Sequence, residues 1–126
     1  MPIHSPRAHV QRLSPDGLRM SSARDGDTHL IRLAGELDLT SADDVEQELR
    51  RVELTDAHVI SVDLRQLTFI DSMGVRVLFH AGMRSAQGTN RLVLVRGRQE
   101  VQRVFELCDL LRRLPFVDDL AGGHRA

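Results

Sequence analysis

The feature that most narrows what this chain can fold into is a junction at residues 59–86, where a β-branched apolar run gives way to a helical pattern. Val59-Ile60-Ser61-Val62-Asp63-Leu64 has strand composition, with Ile60, Val62 and Leu64 on one face. Beyond it Val75, Leu78, Phe79, Gly82, Met83 and Ala86 recur at i, i+3, i+4, i+7, i+8 and i+11. That spacing predicts an amphipathic helix with Arg76, His80 and Arg84 on its polar side. Between strand and helix stands Phe69-Ile70-Asp71-Ser72-Met73-Gly74. Ser72 therefore falls at or beside a helix N-terminus, where unpaired N–H groups and the helix dipole favour negative charge. A hydroxyl there can cap the helix or receive a phosphate.

The rest of the chain alternates in the same way. Leu18 to Arg24 reads as a first strand, Arg24-Asp25-Gly26-Asp27 as a hairpin turn, and Leu30 to Leu37 as its antiparallel partner. Thr40 or Ser41 can cap a following helix, Ser41 and Asp44 having the spacing of a capping box, with Val45, Leu49 and Val52 on its buried face. Gly88-Thr89-Asn90 breaks the central helix, and Leu92-Val93-Leu94-Val95 suits a strand covered on both faces. A last helix is expected over about Gln99 to Arg113, stopped by Pro115, with Val101, Val104, Phe105, Cys108 and Leu111 inward. Phe116-Val117 suits a short edge strand. Three prolines and no sustained periodicity mark residues 1–17 as a flexible tail, and Ala121-Gly122-Gly123-His124-Arg125-Ala126 marks residues 119–126 as a second one.

A chain of 126 residues can bury one core, and 41% hydrophobic with 28% charged residues is ordinary for a globular protein. A formal charge of −1, no Trp or Tyr and four Phe argue against a nucleic-acid binder, which needs positive charge and stacking platforms. All 17 basic residues are Arg, but they are scattered rather than clustered. No apolar stretch approaches the roughly 20 residues that span a bilayer. The N-terminus lacks a signal-peptide core, so the expected setting is cytoplasmic, away from membranes. The single Cys108 forms no intramolecular disulfide and reads as a small core residue. The six histidines show no metal-ligand spacing, and no phosphate loop, nucleophile elbow or triad is evident. The chain does not read as an enzyme, and no cofactor of its own is expected.

Asp71-Ser72-Met73-Gly74, after an apolar strand and before a helix, resembles the phosphorylation motif of STAS domains, the family named for sulfate transporters and anti-sigma factor antagonists. Gly35-Glu36-Leu37-Asp38-Leu39-Thr40 resembles that family's loop between the first long strand and the first helix. The likeness runs from about Leu30 to about Asp118, with the elements in the family's order. It implies an α/β fold: one STAS-like domain over residues 18–118, a mixed central β-sheet with helices packed mainly on one face.

The same residues also have plainer chemistry. On spacing alone Ser72 serves as an N-cap serine, although Val75 rather than Glu or Gln stands where a capping box would need it. The resemblance implies instead that Ser72 is the phosphoacceptor. Asp71 suits a solvated turn, and the resemblance implies that it presents the serine. Gly74 would let a partner's backbone approach closely, or would simply pack. Met73 would tune partner choice, or pack. Arg76, one turn beyond Ser72, is a surface arginine or a partner for the phosphoserine. Glu36, Asp38 and Thr40 supply turn chemistry, and the resemblance makes them contacts for an anti-sigma factor.

The implied function is that of a bacterial anti-anti-sigma factor in a partner-switching circuit that regulates transcription under stress. Its partners would be an anti-sigma factor serine/threonine kinase, which itself binds the ATP and magnesium, and a phosphatase acting on phospho-Ser72. A STAS scaffold subunit of a signalling complex, a soluble STAS subunit regulating a membrane transporter, and a homodimer remain alternatives at this level.

Overall fold

Gly26, at a φ of 62°, closes a two-residue turn in which Asp25 pairs with Thr28, joining β2 (Leu18–Asp25) to β3 (Thr28–Leu37) as an antiparallel hairpin. In this computed structural model residues 8–12, by their backbone alone, and 17–119 are described. From β3 onward the chain alternates helix and strand: α1 (Ala42–Glu53), β4 (Val59–Ile70), α2 (Ser72–Gln87), β5 (Arg91–Val95), α3 (Gln99–Leu107) and β6 (Phe116–Val117). Each helix carries the chain to the next parallel neighbour, so the strand order β2 to β6 is the order of the sequence. Three crossovers stepping in one direction, with the handedness that parallel connections share, put all three helices on one face of a mixed sheet, where they join a single core.

The core lies between that face and the helices. Leu18, Met20, Ile31, Leu33, Ile60, Val62 and Leu64 come from the strands, Val45, Leu49, Val52, Leu78, Val101 and Phe105 from the helices. Each such side chain withdrawn from water contributes about 1.5–3 kcal/mol. The four residues Leu92–Val95 are buried throughout, as their uninterrupted apolar run implies. Gly35, at a φ of 94°, admits the Gly17 carbonyl to within 2.2 Å of where a Cβ would stand, so only glycine fits there.

Several expectations need correction. The segment read as a tail contributes a strand, β1 (Ala8–Arg12), antiparallel to β2, whose pairing register carries it despite its weak periodicity. The remainder of both tails, residues 1–7, 13–16 and 120–126, lies outside the described residues. The central strand runs six residues beyond Leu64, to Ile70, its register shifting twice against β3. Helix α2 buries Gly74, Val75, Val77, Leu78 and Ala81, whereas Met83 and Ala86 are exposed, because α1 as well as the sheet packs against it. Helix α3 ends at Leu107, not near Arg113. Asp109 takes a φ of 60°, the Leu110 N–H reaches the Phe105 carbonyl at 2.9 Å and the Asp109 N–H reaches that of Glu106 at 2.9 Å. This is the paired bonding of a Schellman stop, and it ends the helix eight residues before Pro115. Cys108, at the C-cap, is consequently exposed rather than part of the core.

Candidate functional site

The site forms at the carboxyl ends of β3 and β4, where open parallel sheets characteristically place their ligands. Glu36 pairs with Phe69 and Leu37 with Ile70, so the β3–α1 loop and the β4–α2 junction emerge side by side. The Asp71 N–H then donates to the Leu37 carbonyl at 3.1 Å.

Asp71, not Ser72, is the N-cap of α2. Its backbone is extended (φ −108°, ψ −177°), and Oδ1 accepts the N–H groups of Met73 at 2.9 Å and Gly74 at 3.1 Å. Its carbonyl accepts from Val75 N at 3.1 Å. Its second oxygen, Oδ2, accepts the Leu39 N–H at 3.1 Å from the other loop. The turn-forming chemistry expected of Asp71 is thus present, with an added bond between the two loops that local spacing does not announce.

Ser72 follows as the first helical residue and is exposed. Among the described residues its hydroxyl has no hydrogen-bond partner. The fold uses this serine neither as cap nor as strut. Gly74 is buried, and a Cβ there would stand 2.7 Å from Leu37 Cγ and 2.8 Å from Ile70 Cγ1. Its smallness lets α2 begin hard against the strand ends, which is the packing role that its sequence reading offered beside partner approach. Met73 packs partly buried against the core, while Arg76 is exposed and makes no ion pair among the described residues.

In the other loop Asp38 Oδ1 accepts both the Thr40 N–H at 3.0 Å and the Thr40 hydroxyl at 2.7 Å. The Thr40 hydroxyl foremost, joined by the Thr40 N–H and the Ser41 bonds, outweighs desolvation and holds the Asp38 carboxyl below its ordinary range. Ser41 occupies the N-cap position of α1 but turns its hydroxyl back to the Glu36 carbonyl at 3.2 Å and the Asp38 N–H at 3.1 Å. The expected capping box with Asp44 therefore does not form. Glu36 is exposed.

Two apolar residues absent from the sequence-based set also stand here. Leu39 is 68% exposed and Phe69 47% exposed, one in each loop margin. The signal was available in the apolar Leu39 between Asp38 and Thr40, and in Phe69 beside inward-facing Ile70.

A second polar cluster lies inside the fold. Ser22 Oγ contacts His29 Nε2, Glu48 from α1 accepts Arg51 at 2.9 and 2.6 Å, and Ser22, His29 and Glu48 are all buried. Burial foremost, then Arg51, holds the His29 imidazole below its ordinary pKa. Burial pushes Glu48 up, but the Arg51 guanidinium and Ser22 hydroxyl outweigh it and leave the carboxyl low. This serine is enclosed between sheet and helix, out of reach of a substrate. Among the described residues no group of three or more His, Cys, Asp or Glu could hold a metal ion. No described helix is long and apolar enough to cross a membrane.

Known proteins resemble this chain in sequence and in fold. The STAS domain family model matches residues 20–122. The anti-sigma-B factor antagonist of Listeria monocytogenes is 31% identical over 87 residues, 69% of this chain and 76% of that protein. The crystal structure of an anti-sigma factor antagonist from Mycobacterium paratuberculosis superimposes with a TM-score of 0.76 at 20% identity, over 89% of this chain and 95% of that one. The Bacillus cell fate determinant SpoIIAA in its phosphorylated form does so with a TM-score of 0.54 at 20% identity, over 92% and 96%.

Proposed function

This chain belongs to the STAS domain family, and from that premise we propose that it is an anti-anti-sigma factor switched off by phosphorylation of Ser72. Unmodified, it binds an anti-sigma factor serine kinase in the cytoplasm and thereby frees a sigma factor. The kinase, with its own histidine-kinase-like ATP site, transfers phosphate to Ser72, and a separate phosphatase removes it.

The observation that carries this reading is the exposed Ser72 hydroxyl at the first position of α2, unpartnered among the described residues, beside an aspartate that already caps the helix. Asp71 performs the structural work, so modifying Ser72 breaks no bond of the fold. The phosphate brings roughly −1.5 to −2 charges. A partner packed over that turn would have to desolvate them, at a cost of several kcal/mol. Each ~1.4 kcal/mol is a tenfold loss of affinity. One modification therefore separates two proteins without unfolding either. That one of the structural relatives exists in a phosphorylated form accords with this. Glu36, Asp38 and Thr40 contribute the neighbouring half of the partner face, and Arg76 borders it.

Calorimetric titration of the cognate anti-sigma kinase with unmodified and Ser72-phosphorylated protein tests the proposal. The unmodified form should bind at least a hundredfold more tightly. Equal affinities would refute the switch.

A further inference from the structure

The two oxygens of Asp71 have different destinations. Oδ1 caps α2, whereas Oδ2 reaches across 32 residues of sequence to take the Leu39 N–H at 3.1 Å. The flanking residues of that loop satisfy one another: Asp38 holds Thr40, and Ser41 holds Asp38 and Glu36. Beyond the strand-end bond from the Asp71 N–H to the Leu37 carbonyl, Leu39 is the loop residue tied to the phosphoacceptor turn. Of the five large apolar side chains that are most exposed among the described residues, Leu39 and Phe69 are the two carried by the segments that meet at the Ser72 turn, Phe69 three residues before it and Leu39 through its tie to Asp71. Paired exposure at one end of the sheet marks an interaction surface more strongly than scattered single residues do.

We propose that Asp71 is the positioning residue of the partner face, pinning the β3–α1 loop to the Ser72 turn so that Leu39, together with Phe69, forms an apolar anchor beside the phosphoacceptor. The inference rests on the reading of this face as the dock for an anti-sigma factor. Its occupant is that partner, through an apolar pocket that closes over Leu39 and Phe69. A pocket of that kind excludes water from the rim of Ser72, which is the condition under which a phosphate there is most disruptive.

Asp71→Asn separates the two roles of the carboxylate. Asparagine caps a helix as well as aspartate does, with its amide oxygen toward Met73 and Gly74. Its NH2 group then faces the Leu39 N–H, donor against donor, and the tie is lost. Hydrogen exchange on the free protein should show the Leu39 amide exchanging at least tenfold faster in Asp71→Asn, with the Met73 and Gly74 amides unchanged. In calorimetry against the anti-sigma kinase, Leu39→Ala and Asp71→Asn should each weaken binding at least tenfold. The double variant should bind no worse than Leu39→Ala alone, because the aspartate acts through the leucine. Unchanged Leu39 exchange in Asp71→Asn would overturn the positioning role. Wild-type binding that survives both single substitutions would overturn the anchor. A wild-type protein that fails to bind any anti-sigma kinase would sink the reading of the face itself, while the exchange comparison would still decide the Asp71 tie.

Discussion

At Gly74 a single hydrogen atom decides how closely α2 can start against the sheet. A methyl group there would press on Leu37 and Ile70, both fully or nearly fully buried. Gly74→Ala should therefore destabilise the protein by about 1–3 kcal/mol, read from urea unfolding midpoints. Ser72→Ala, by contrast, removes an exposed hydroxyl with no partner among the described residues and should move the midpoint by no more than about 0.5 kcal/mol. The residue scale is also where sequence reading was least complete. The motif 71–74 was legible as a helix start, but which of two adjacent cap-forming residues takes the cap depends on backbone geometry, and the extended Asp71 takes it. The inward direction of Gly74 and the bond from Asp71 to Leu39 arise from chain segments about thirty residues apart, which local spacing cannot report.

Among the elements, α1 and α2 are joined by a clamp. Arg84 near the end of α2 donates to Glu53 at 2.8 and 3.0 Å and to Glu46 at 3.1 Å. These groups are mostly buried, and Glu53 foremost, outweighing desolvation, raises the Arg84 pKa. Arg84→Met keeps much of the apolar stem but strands the Glu53 carboxylate, Glu46 keeping Arg50 at 2.6 Å, and should cost about 2 kcal/mol in thermal or urea unfolding. Combined with Glu53→Gln, the loss should be smaller than the sum of the separate losses. The periodicities of β2, β3, α1, β5 and β6 were legible because each presents one apolar face or run to a single neighbour. α2 departs from its simple stripe because two elements share its buried arc, and α3 stops early because Asp109 adopts a left-handed conformation that composition alone does not announce. β1 was missed because five residues carry too little pattern, and pairing with β2 supplies the rest.

For the whole molecule, the alternation of strands and helices implied a mixed sheet, and the family resemblance, not the pattern, supplied the helices' common face; in the structure every crossover leads to the adjacent strand. What joins the layers internally is less visible from sequence, and it makes stability depend on pH. His29 faces Ser22, Glu48 and Arg51, with Arg24 beside it, and among the described residues its Nδ1 has no partner. Its folded pKa lies below that of the unfolded chain. The unfolded chain binds a proton there below about pH 6.5, while the folded chain resists it, so stability should fall as pH drops through that value. Glu48 and Asp63, both held low in the fold, keep their stabilising contribution above their ordinary values of 4.5 and 3.8 and lose it as pH falls further. Urea unfolding across a pH series should show the first decline, and His29→Gln should flatten it between about pH 7 and 5. The central claim, however, concerns Ser72. Tandem mass spectrometry of the protein isolated from its own cells in growth and under stress tests it most directly. The account predicts phosphate on Ser72 with occupancy that changes between the two conditions; an unmodified Ser72 in every condition would contradict it.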